Sequence, residues 1–217
     1  NLHLNTLNQL IMKKYILQLT ILTSVVVISS TSSAQFNYEW SAHFGGSNTD
    51  YAYGIAIDNE GNVISGGEFR FTIDFDPADD SEASLTSSGL MNAYISKLNA
   101  DGSYAWARQI EGESRVHDVH TDDDGNVFVC GRFRETIVFM PGKGGVSMTS
   151  NGQYDSFLAK YNADGDFLWA FQVGGIYQDF MNSLTIDADG NVFVCGEFTD
   201  TVDFDPRLNV GELNETS

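Results

Sequence analysis

The chain has 217 residues, 42% of them hydrophobic and 12% aromatic, with 21 glycines against 3 prolines. That is ample apolar material for a packed core, and it suits short strands joined by tight turns. Eleven Lys and Arg against 30 Asp and Glu leave a net charge of -19, which excludes a nucleic-acid binder, because such a protein needs a basic face to displace phosphate counterions.

Met12-Lys13-Lys14 opens an apolar run, Tyr15 to Ile28, that ends in the small-residue stretch Ser29 to Ala34. A basic start, an apolar middle and a Ser32-x-Ala34 site predict a signal peptide over 12–34, cleaved after Ala34. The run is shorter than the ~20 residues of a spanning helix and is broken by Gln18, Thr20 and Thr23. The expected location is therefore secreted or cell surface, with no membrane partner after cleavage. Residues 1–11 read as translated upstream sequence, and the chain as a piece of a longer reading frame.

From there one stretch recurs. Asp58-Asn59-Glu60-Gly61-Asn62-Val63, Asp122-Asp123-Asp124-Gly125-Asn126-Val127 and Asp187-Ala188-Asp189-Gly190-Asn191-Val192 set a period of about 64 residues. An apolar alternating segment precedes each turn, as in Ala52 to Ile57. Asp at the start and Gly at the fourth position predict a hairpin loop with the glycine at positive φ. The segment after the turn, Val127-Phe128-Val129-Cys130, has no polar side. Such a strand is expected to be buried on both faces between two other sheets.

The third segment alternates Ile73 with Phe75, Ile137 with Phe139 and Val202 with Phe204, and is expected to be the third strand of its unit. Pro77, Pro141 and Pro206 end it. A fourth segment follows at Asn92 to Leu98 and Asp155 to Tyr161, then a second turn at Asp101-Gly102 and Asp164-Gly165, then a strand bearing Trp106 or Trp169. Trp40 holds the same position one period earlier. Gly45-Gly46 and Gly174-Gly175 mark the crossing to the next unit.

Antiparallel units of about four strands, buried on both faces and repeated, predict an all-β fold, a β-propeller. Its expected blades are 51–109, 115–172 and an incomplete 181–217, with 37–44 as an outer strand of the closing blade. The rest of the chain would be needed to close the ring, and end blades left open would expose apolar faces.

The pattern Gly-Asn-Val-Phe-Val-Cys-Gly (190–196), Val-Asp-Phe-Asp-Pro (202–206) and Tyr-Asp-Ser-Phe-Leu-Ala-Lys-Tyr-Asn-Ala-Asp-Gly (154–165), then Trp169, resembles the SBBP β-propeller repeat of secreted bacterial proteins, in versions like those of Bacteroidetes. The resemblance spans residues 36–217. It implies a multi-bladed module of a large exported polypeptide and supplies no general catalytic residues. The second copy departs from it, since Val138-Phe139-Met140-Pro141 lacks both acids.

Candidate chemistry is sparse. The Asp-rich turns resemble the start of a calcium loop, but the further oxygen ligands are not in register, so no cofactor is expected beyond possible calcium. Asp74/Asp76 and Asp203/Asp205, two apart, would share one side of a strand and could act as a cation or acid pair, although their repetition favours a structural role. His117 and His120, three apart on a strand, would face opposite ways and form no joint metal site. His43 is isolated. Cys130 and Cys195 at equivalent positions read as small buried apolar residues rather than a disulfide.

Function is expected in what does not repeat. The loops 47–51, 112–115 and 176–180 differ between units and would border the channel mouth, where a protein or glycan partner would bind. A non-catalytic binding or scaffolding module leads. A propeller-based polysaccharide lyase or hydrolase would have to draw on Arg115, His117 and Tyr177. A calcium-stabilised adhesion module is a third reading.

Overall fold

The computed structural model describes residues 39–76, 78, 83–142, 144–204 and 214–216. The expected signal peptide (12–34), the segment before it, residues 37–38 of the expected outer strand, the 79–82 loop, Asp205, Pro206 and the side chain of Asp203 lie outside the described residues.

The first repeat comprises β1 (Tyr51–Ile57), β2 (Val63–Phe69), β3 (Thr72–Asp74), β4 (Ser84–Thr86), β5 (Asn92–Leu98) and β6 (Tyr104–Glu111). The second comprises β7 (Ser114–Thr121), β8 (Val127–Phe133), β9 (Thr136–Phe139), β10 (Val146–Thr149), β11 (Asp155–Tyr161) and β12 (Phe167–Val173). The third supplies β13 (Phe180–Ile186), β14 (Val192–Glu197), β15 (Thr201–Asp203) and β16 (Asn214–Thr216). The fold is all-β, its strand pairs are antiparallel, and no closed propeller forms among the described residues.

Each complete blade runs in the order β1-β2-β5-β6 or β7-β8-β11-β12, and β1 and β13, the inner strands with β7, both pack on β7. The third segment is not among these strands, which corrects the expectation above. It folds with its successor into a small hairpin, β3–β4 or β9–β10. The β9–β10 hairpin joins the preceding blade instead: Ile110 pairs with Phe139 and Glu111 with Val138, extending the first sheet to six strands. The crossing glycines permit this approach. A Cβ on Gly46, Gly112 or Gly175 would come within 2.5 Å of the carbonyl oxygen of Thr72, Thr136 or Thr201.

Burial of β8 follows from strand alternation. Val127, Val129 and Phe133 enter one apolar cluster with Ile64, Ile95 and Ile110 of the first blade. Phe128 and Cys130 point the other way, to Met181 and Leu184 of the third repeat. The strand is apolar on both sides because a sheet lies against each. β14 carries the same residues without that cover: Phe193 is 56% exposed where its counterpart Phe128 is 3% exposed. Cys195 is accordingly exposed while Cys130 is buried, and both thiols are free. The expectation that both are buried thus fails for Cys195.

The Asp-Gly-Asn stretches form hairpin loops. The Asp122 carboxylate accepts the backbone N–H of Asp124 and of Asn126, at 3.1 and 2.8 Å, and the Asn126 amide at 2.8 Å. Asp58 and Asp187 hold their loops in the same way. Gly125 takes φ +75°, as only glycine does at little cost. Lysines of the fourth segment complete the loops, Lys97 on Asp58 at 2.9 Å and Lys160 on Asp122 at 3.2 Å. Burial raises the pKa of both aspartates, but the bonds from Asn62 and Lys97, or Asn126 and Lys160, outweigh it and leave each depressed.

The tryptophans tie consecutive units together. The Trp106 indole N–H donates to the Ala163 carbonyl at 3.0 Å, and its ring covers Gly165 in the second blade's outer turn. Arg108 adds bonds to the Gly165 and Asp164 carbonyls. Trp40 does the same one period earlier, donating to Ala100 at 3.0 Å and covering Gly102. Residues 39–44 around it form no strand.

Candidate functional site

Opposite the Asp-Gly turns, the ends of the inner strands bring together residues that differ between repeats. Here β1, β7 and β13 begin, β2, β8 and β14 end, and the segments 47–50, 112–113 and 176–179 arrive. A bulge interrupts each inner strand, between Ala52 and Gly54, Val116 and Asp118, and Met181 and Ser183. The extra residues are Tyr53, His117 and Asn182. Bulges re-aim side chains, and this one also overturns the parity argument for the two histidines. Val116 and Val119, three apart as well, both enter the first apolar cluster. His117 turns to the third repeat, its Nδ1 2.8 Å from the Met181 carbonyl oxygen, a pairing that sets Nδ1 as the donor. The neighbouring Asp118 accepts from the Ser183 hydroxyl at 2.7 Å and the Leu184 N–H at 3.0 Å.

Around His117 lie the charges that break the repeat. Glu68, Arg132 and Glu197 occupy one position, the polar end of an otherwise apolar strand. Glu68 is buried and ion-paired with Arg115, and its Oε1 has no partner. The Arg115 guanidinium lies 4.8 Å from the centre of the Tyr53 ring. Tyr53 stacks on Tyr51 at 5.8 Å and 20°, and both rings are 44% exposed. Arg132 stands directly across from Arg115 in the β7–β8 ladder. Its guanidinium lies 4.9 Å from the centre of the Tyr154 ring and 4.8 Å from that of Phe180, and its buried Nε has no acceptor among the described residues. The Tyr154 hydroxyl donates to Glu113 at 2.6 Å.

Electrostatics follow from this crowding. Burial holds the His117 pKa below the usual 6.5, and Arg132 and Arg115 act in the same sense against the Met181 carbonyl and Glu68. Burial raises the Tyr53 phenol, helped by Glu68 and opposed by both arginines. Asp155, at the start of β11, is raised by burial and by Asp179, and its Oδ1 has no partner.

Two of the three residues singled out from the sequence thus share one cluster, since Arg115 and His117 both border Tyr53. Tyr177 stands apart on the 176–179 segment. Its carbonyl accepts from the backbone N–H groups of Gln153 and Tyr154. Glu68, Arg132, Tyr51 and Tyr53 were missed. Their signal was the one charged position in a buried strand.

Elsewhere the expected Asp74/Asp76 pair dissolves, while the Asp203 side chain and Asp205 lie outside the described residues. Asp74 accepts the Asp76 N–H at 3.0 Å and Asp76 the Ala78 N–H at 2.9 Å, two successive turns that end β3 rather than an acid pair on one strand face. Among the described residues no group of three or more His, Cys, Asp or Glu is placed to hold a metal. No helix among them is long and apolar enough to cross a membrane.

The sequence comparisons agree with this architecture. The family described as "Beta-propeller repeat" (SBBP) matches residues 39–64, from the Trp40 segment through the first Asp-Gly turn. A second, described as "Domain of unknown function (DUF5122) beta-propeller", matches residues 144–167. The chain is 29% identical over 121 residues to "Uncharacterized WD repeat-containing protein L264" of Acanthamoeba polyphaga mimivirus, a match covering 48% of this chain and 9% of that protein. Two segments of this all-β chain of antiparallel sheets, 39–64 and 144–167, thus match β-propeller repeat families.

Proposed function

We propose that the chain is a non-catalytic binding or scaffolding module of an exported protein, and that it engages a glycan or protein partner at the strand ends around Arg115 and Arg132. One observation carries this reading. The side chains that do not repeat are gathered at one end of the sheets, while those that repeat fill structural roles elsewhere. A residue kept in every unit serves the fold, and a cluster found once serves something met once. The charged groups of the cluster are paired, stacked or buried.

Export rests on the leader-like segment at 12–34. The module reading is tested by passing the purified chain over panels of glycans and secreted proteins, with product analysis of every bound glycan. Retention without cleavage, weakened by Arg115→Met, is the expected result. Hydrolysis or elimination products that vanish with Arg115→Met or His117→Asn would replace it with the lyase or hydrolase reading.

A further inference from the structure

The cross-strand arginines pose a physical problem. Like charges directly opposite on a sheet repel, and one carboxylate, Glu68, hydrogen-bonds to the pair. That bond uses the Arg115 Nε. The terminal nitrogens of both guanidinium groups have no protein acceptor among the described residues, and they are not among the buried unpaired atoms. Arg132 also lies against two rings, Tyr154 and Phe180, that meet at an angle of 60°. Two planar forks with open terminal nitrogens match a carboxylate in geometry and sign.

Beside this anion seat lies the stacked pair Tyr51 and Tyr53, its rings half open to solvent. Exposed stacked rings offer a flat apolar surface with a polar rim. Such a surface fits the flat C–H face of a pyranose better than a branched side chain, which needs a pocket. The chain's net charge of -19 gives a polyanion no long-range attraction, so recognition has to be made at contact.

We propose that this corner is a subsite for a uronic-acid sugar. The sugar packs against the exposed side of the Tyr51–Tyr53 stack, and its carboxylate accepts from the terminal nitrogens of Arg115 and Arg132. The assignment rests on the binding-module reading and names its ligand class.

The test is calorimetric titration of the full chain with oligogalacturonate, oligomannuronate and oligoglucuronate, each beside its carboxyl-reduced neutral counterpart. At least one uronate is expected to bind while its reduced form does not. Arg132→Met is expected to weaken binding about ten- to a hundredfold, the worth of one or two charge-assisted hydrogen bonds. Lys160→Met, at the Asp-Gly turn end of the same blade, should leave it unchanged. Arg132→Lys keeps the charge without the fork and separates geometry from charge, and circular dichroism of each variant confirms the fold. Equal binding of the reduced sugars overturns the uronate assignment and keeps the module reading. Binding of polyglutamate in place of every sugar also overturns the assignment, in favour of an acidic peptide. Cleavage of any sugar overturns the module reading itself. Absence of binding to all six sugars sinks the subsite.

Discussion

At the turn end of the blades each repeat spends the same residues on the same contacts. Asp58, Asp122 and Asp187 tie off their loops, Lys97 and Lys160 pair with the first two, and Trp40 and Trp106 cap the following unit. At the opposite end, equivalent positions hold Tyr51, Arg115 and Phe180, or Glu68, Arg132 and Glu197. The backbone is as regular there as at the turns, down to the bulge in every inner strand. One end joins blade to blade and tolerates no variety. The other inherits a rigid frame on which variety is cheap, because the frame's stability is secured elsewhere.

Stability measurements can break this division. The largest loss is expected from Trp106→Ala. Removing a buried indole that bridges two blades should cost about 3–5 kcal/mol, read as a lower urea midpoint. An Arg132→Met midpoint equally low would erase the contrast between the ends. Lys97→Met comes next. It strands the Asp58 carboxylate, and both side chains of the pair are nearly buried, so about 3 kcal/mol is expected. Lys160→Met, at a more open pair, should cost about 1 kcal/mol or less. Equal costs would show that burial does not set the strength of these pairs.

Asp155→Asn runs in the other direction. It installs the residue that the first repeat carries at Asn92, and it removes a buried charge that Asp179 already opposes. A gain of about 1 kcal/mol at neutral pH is expected, and a loss would mean that the charge, not the shape, is needed. The smallest effect concerns His117. Its folded pKa lies below the usual 6.5, so the unfolded chain takes up the proton first. The stability tied to neutral His117 is whole above pH 6.5 and falls away as pH drops through the folded value. His117→Asn, matching Asn182, should flatten that slope below pH 6.5. Asp58 and Asp122 are depressed from 3.8, so their contribution is present above 3.8 and lost only at lower pH. An unchanged slope below pH 6.5 in His117→Asn would place the titration elsewhere, and not on Asp155, whose raised pKa gives the opposite sign.

Much of the turn end was legible in the residues. Asp with Gly three later prescribes the loop, and Val127 to Cys130 can be apolar on both sides only when covered on both. Less could be read where one pattern serves two topologies. Ile137 and Phe139 alternate identically whether β9 joins its own blade or the one before, and only the ladder to Ile110 decides. The bulges carry no residue signature, since Tyr53, His117 and Asn182 share no chemistry. Nor do the left-handed residues Phe71, Glu135 and Asp200 between second and third segments. Their conformation is enforced by contacts such as the Phe71 and Glu135 N–H groups donating to the Ser87 and Ser150 hydroxyls, at 2.8 and 3.0 Å.

The hairpin lent by one repeat to the sheet before it bears on synthesis. A blade whose outermost ladder comes from the next unit keeps an open edge as it emerges from the ribosome. For the first blade, that edge stays available to any passing strand until β9 has been made. Translation speed across 112–149, the stretch separating β6 from the end of the lent hairpin, should therefore influence how much of the first blade is captured by the wrong partner.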